Sequence, residues 1–149
     1  MDIVEINAMI LALECGALKL EDVIKWADLA IIHADVPDDR LFDVSVATCP
    51  NTAVAALQVF GASDTPSLVA KKAFIYFLTG LKNHTTSYNM VAQKLYEMAF
   101  EPNITIPDKN AESQMMSFWD ALDIANEGVY GDPVVIKKEM LAFLKQYSH

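Results

Sequence analysis

The chain has 149 residues, 53% of them hydrophobic, enough for one domain to build a core without disulfides or a structural metal. Lysine and arginine together number 11 against 20 aspartates and glutamates, giving a net charge of −9 and a pI of about 4.6. Such a surface repels phosphate backbones and anionic lipid, so neither nucleic acid nor membrane is expected as a partner.

The charge is uneven along the chain. Residues 1–47 carry ten acids against Lys19, Lys25 and Arg40, a net of −7, whereas the remainder carries ten acids against eight lysines, a net of −2. A partner chosen by electrostatics would meet the first third.

From Asp2 to Cys15, Ile3, Ile6, Ile10 and Leu13 fall on one helical stripe, and Gly16 follows as a helix-ending residue. Leu20 to Ala34 repeats the pattern with Leu20, Val23, Ile24, Ala27, Ala30 and Ile31 inward, so the two segments read as an antiparallel hairpin. A glycine between two helices also invites a DNA-reading interpretation. The second helix, however, carries Glu21, Asp22 and Asp28 against Lys25, and phosphates would repel it. With its core face centred near Ala27, that helix leaves Asp22, Trp26, Leu29 and His33 as a separate stripe, and Ile32 also faces away. A Trp and a Leu flanked by acids have the composition of an interface anchor, unless the third helix or the chain end covers them.

Val36-Pro37 closes the second helix, and Asp38 and Asp39 offer carboxylates to the N–H groups of a short third helix over residues 38–48, with Leu41, Val44 and Ser45 inward. Asp35, Asp38, Asp39 and Asp43 surround Pro37 without the alternating acids, glycine and terminal glutamate of a calcium loop; capping and solvation account for them. Cys49-Pro50, Thr65-Pro66 and Asp132-Pro133 each read as an N-cap followed by proline at the first helical position. The alanine-rich helix after Pro50 ends at Gly61 and suits close packing on the next one. That next helix, Pro66–Leu81, has no charge between Lys72 and Lys82 and is apolar in every direction, so it is expected to be covered all round. It is shorter than the roughly 20 residues a bilayer needs.

Residues 83–87 form a polar turn, after which Tyr88, Val91, Ala92, Leu95 and Ala99 make another inward stripe. Pro102 and Pro107 bracket an extended crossover with Ile104 and Ile106 tucked onto the body. Helices over Asp108–Asn126, with Trp119 inward, and Pro133–Tyr147 complete the chain; Asp120, Asp123 and Glu127 on the former look like an ordinary solvated face. The fold class is therefore all-α: a single-domain bundle of about eight helices around Pro66–Leu81, which holds the alanine-rich, Tyr88 and Trp119 helices. Two consecutive proline-started helices keep a short α-α superhelix as the alternative.

Motifs for chemistry are sparse. Cys15 and Cys49 are isolated, His33, His84 and His149 stand in no metal-binding pattern, and there is no glycine-rich phosphate loop, so neither a metal nor a cofactor is expected. The Met1-Asp2 opening has no basic n-region, which points to a cytoplasmic chain with reduced thiols.

The run from Gly16 to Asp28, a glycine, a turn, an acidic helix start and then Trp26-Ala27, resembles a pattern in small bacterial helical proteins. Some of these are similar to proteins proposed as immunity partners of bacterial toxins. Leu20 departs from the Ser or Thr cap common in that pattern, and the run contains no catalytic residue. The resemblance implies a helical fold and a neutralising, protein-binding role. The residues agree with a non-enzymatic domain whose acidic hairpin docks a basic protein through Asp22, Trp26, Leu29, His33, Asp35, Asp38 and Asp39; self-association is left open. The alternative is a small-ligand binder or enzyme with an inter-helix pocket using His33 or His84 with nearby carboxylates.

Overall fold

The computed structural model describes residues 2–149. Among them the chain forms eight helices and no strand: α1 (Ile3–Glu14), α2 (Leu20–His33), α3 (Arg40–Ser45), α4 (Pro50–Gln58), α5 (Pro66–Lys82), α6 (Tyr88–Met98), α7 (Lys109–Asn126) and α8 (Pro133–Tyr147). The fold is all-α and single-domain, as the periodicity predicts.

The helix starts follow from local chemistry. Asp2, Ser87, Asp108 and Asp132 each accept backbone N–H bonds in the first turn of α1, α6, α7 and α8. Pro50, Pro66 and Pro133 stand at the first helical positions, where a missing N–H costs nothing. Thr65 caps differently from expectation: its side chain makes no bond to α5 and instead meets Ser63 Oγ at 3.1 Å. α3 is shorter than predicted, because Asp38 Oδ1 accepts from the backbone N–H of Arg40 at 3.0 Å and so fixes the start there.

Two apolar clusters share α1. Ile6, Met9 and Leu13 face Val23, Ala27, Leu41, Val44, Ala53 and Leu57 of α2, α3 and α4. Ala8, Ala12 and Cys15 face the larger cluster built from α5 to α8, where Phe143 lies within 5.5–5.6 Å of the Phe74 and Phe118 ring centres. Such aromatic pairs add about 0.5–1.5 kcal/mol each to the burial term. α1 is thus the element on which both halves are built.

Three packing expectations need correction. α5 packs chiefly on α1 and α8, with the alanine-rich α4 and with α6 and α7 contributing far less to its cover. α4 instead approaches α1 and α3, its alanines permitting close contact there, and α2 packs chiefly on α3 rather than along α1. Nor is α5 covered all round: Val69, Ala73, Phe74, Phe77 and Leu81 are buried, but Leu68 and Ile75 are exposed, since neighbours on two sides suffice for a helix whose apolar surface exceeds what the core needs. Ile104 and Ile106 do pack against the larger cluster as expected of the crossover.

Polar groups lock α1 to its neighbours. Glu5 accepts from the Tyr76 hydroxyl and pairs with Lys72 at 3.1 Å, while Glu14 pairs with Lys94 at 3.4 Å. Burial and the Glu5 carboxylate together push the Tyr76 phenol well above its usual range. Burial works against charge on Lys94, but Glu97 and Glu14 outweigh it and its pKa is raised.

Candidate functional site

The first candidate surface is formed by α2, the turn after it and α3. Glu21 and Asp22 lie in the first turn of α2, where the helix dipole favours carboxylates, and Pro37 keeps the chain from continuing the helix. Val23 and Ala27 point into the smaller core and so fix which residues face out.

Asp22, Leu29 and His33 are exposed on one helix face, and Asp35 and Asp39 are exposed in the turn that follows. Trp26 is not part of the exposed stripe. It is partly buried against the smaller core, so much of its ring is occupied within the fold. The apolar exposure lies instead one step round the helix and beyond its end: Leu29 is 45% exposed, Ile32 72% and Val36 88%. Phe42 and Val46 of α3 are exposed as well, and the Ser45 hydroxyl donates to Asp28, tying α3 to α2. Val36, Phe42 and Val46 escaped sequence reasoning because they lie where periodicity is interrupted by Pro37 or cut short.

Electrostatics sharpen the surface. Glu5 and Glu14 are neutralised within the fold by Lys72 and Lys94, whereas Glu21, Asp22, Asp35, Asp39 and Asp43 take part in no ion pair among the described residues. Arg40 adds little positive field, because it is held by Asp38 at 2.6 Å and lies 4.3 Å from the Phe60 ring centre. Hydrogen bonds from the Arg40 side chain and backbone hold the Asp38 carboxyl down at about 2. The negative charge of the first third therefore collects on α2, α3 and the turn between them.

Neither histidine named for a pocket forms an ion pair with a carboxylate among the described residues. His33 is exposed and makes neither an ion pair nor a side-chain hydrogen bond among the described residues. His84, with φ at +58°, borders a cavity of about 240 Å³ together with Leu122, Asn126 and Lys137, and no carboxylate lines it. A cavity of about 360 Å³ between α1 and the crossover holds Glu14 and Glu101 but no histidine. No group of three His, Cys, Asp or Glu residues that could hold a metal ion occurs among the described residues.

The cysteines differ in environment. Cys15 is buried in the larger core, and desolvation pushes its thiol up to about 11. Cys49 lies at the start of α4, where a hydrogen bond with Thr52 lowers its pKa. Both are free thiols.

No helix is long and apolar enough to cross a membrane among the described residues. Comparisons with models of known protein families, with curated proteins and with solved structures find no match.

Proposed function

We propose that the chain is a protein-binding domain that neutralises a basic protein, in the manner of an immunity or antitoxin partner, through the face formed by α2, its following turn and α3. The observation that carries this is the coincidence of exposed Leu29, Ile32 and Val36 with carboxylates that have no internal counter-charge. Unpaired carboxylates speed the encounter with a cationic partner, while the apolar side chains release water on contact and slow dissociation. Asp22 and His33 flank Leu29 along the helix, and Asp35, Asp38 and Asp39 form the rim beyond Val36. Trp26, partly buried against the smaller core, lends this surface only the part of its side chain that remains exposed.

Affinity capture from the source cell at low and at high ionic strength tests the proposal. A basic protein retained at low salt and released at high salt is the expected result. Recovery only of acidic proteins, or retention indifferent to salt, would contradict it.

A further inference from the structure

α7 carries a second surface with a different character. A depression of about 560 Å³ is lined by Tyr96, Met116, Trp119, Asp120 and Asp123, and a second of about 600 Å³ continues from Met116 and Asp120 to Tyr130, Val135 and Glu139. Because Met116 and Asp120 line both, the two depressions adjoin along α7 and are treated together as a groove. Asp120 and Asp123 are thus more than a solvated face: they stand beside aromatic walls.

The walls at one end are the Tyr96 and Trp119 rings, whose centres are 5.4 Å apart at 61°, with Phe100 edge-on to Tyr96 at 5.2 Å. An angled pair of rings beside two carboxylates suits an organic cation, which gains from the ring faces and the charges together. The other end is mostly apolar and open, with Tyr130 83% exposed. Asp132 and Glu139 also line that end, and no lysine or arginine lines either depression among the described residues.

We infer that this groove receives an amphipathic protein segment, an arginine or lysine of which sits between the Tyr96–Trp119 rings and the Asp120–Asp123 carboxylates while its apolar residues cover Met116, Tyr130 and Val135. Charge complementarity selects the occupant: the four carboxylates repel acidic segments, and the aromatic and aliphatic lining gains nothing from a wholly polar one. The surface is independent of the proposed α2–α3 face, since α7 packs on α6 and α8 whereas α2 packs on α3 and α4.

The test uses the full chain with Trp26→Phe, leaving Trp119 as the remaining tryptophan, titrated with a synthetic helical peptide of about four turns carrying arginine and leucine at i, i+3 and i+4 spacing. The Trp119 indole resonance in the unsubstituted chain is the second readout. A saturable change is expected with this peptide and not with versions carrying glutamate for arginine or serine for leucine. Asp120→Asn with Asp123→Asn should weaken binding by roughly tenfold or more, while Asp22→Asn with Asp35→Asn should leave it within about twofold. Loss of binding in the α2 variant but not in the α7 variant would overturn the inference without touching Trp119. So would self-association abolished by Tyr130→Ser in a chain that ignores the peptide, which would give the groove to a second copy.

Discussion

A methyl group on Gly80 would lie 2.9 Å from both the Cα and the carbonyl oxygen of Ala17, so α5 and the α1–α2 turn meet backbone to backbone. Contact with backbone leaves nothing flexible to move aside. Gly80→Ala gains about 1 kcal/mol in helix preference but forces α5 away from the α1–α2 turn, at a cost of about 1–3 kcal/mol. A net loss of stability by urea unfolding is expected; an unchanged or raised midpoint would show that α5 is not seated on Ala17.

Phe74 and Phe77 are fully buried on α5, and Phe143 of α8 meets Phe74 edge to face. Replacing any of the three with alanine should cost about 3–5 kcal/mol, whereas Ile75→Ala on the exposed side of α5 should stay within about 1 kcal/mol. Thermal unfolding of the four variants makes the comparison. Equal effects would mean that the buried side of α5 is misassigned.

Trp26 and Ile32 separate stability from binding. Trp26→Ala removes a side chain packed on the smaller core and should destabilise by about 2–4 kcal/mol, while exposed Ile32→Ser should change stability by less than about 0.5 kcal/mol. Chemical unfolding of the two variants checks this. The opposite order would put the Trp26 ring on the surface.

The thiols predict a pH dependence. Cys15, raised from 9.0 to about 11, favours the protonated form in the fold, so its contribution is fully present below pH 9 and is lost as pH rises through 9 toward 11. Wild-type stability should therefore fall more steeply than that of Cys15→Ala over this interval, by up to a few kcal/mol, given about 1.4 kcal/mol per unit. At pH 8 a thiol reagent should label Cys49 and leave Cys15 unmodified until the protein unfolds. Parallel stability profiles, or early labelling of Cys15, would contradict the burial.

Much of the fold was legible from residues whose effect is local. Proline at Pro50, Pro66 and Pro133 announces a helix start through its own ring, and Asp132 caps where it stands. Helix partners were not legible, because they depend on surfaces far apart in sequence. The stripe of large residues on α1 revealed one buried face; Ala8, Ala12 and Cys15 form the other, and small residues give a weak periodic signal although they pack most closely. The α2 stripe was read correctly for Asp22, Leu29 and His33 as exposed residues. Trp26 is drawn inward against the smaller core, whose buried members outside α2 lie on α1, α3 and α4 and so leave no pattern on α2. The α7 depressions escaped because their linings, Tyr96 and Trp119 in one and Tyr130 in the other, come from α6, α7 and the following turn.

The central claim is that exposed Ile32 and Val36, ringed by unpaired carboxylates, form the contact with a basic protein. Its most direct test is the affinity of the captured partner for wild type and for Ile32→Glu with Val36→Glu, with backbone hydrogen exchange followed in the wild-type complex. The account predicts a loss of about tenfold or more in the variant, unchanged folding, and new protection confined to residues 26–46. Equal affinity of the two proteins, or protection that spares this stretch, would contradict it.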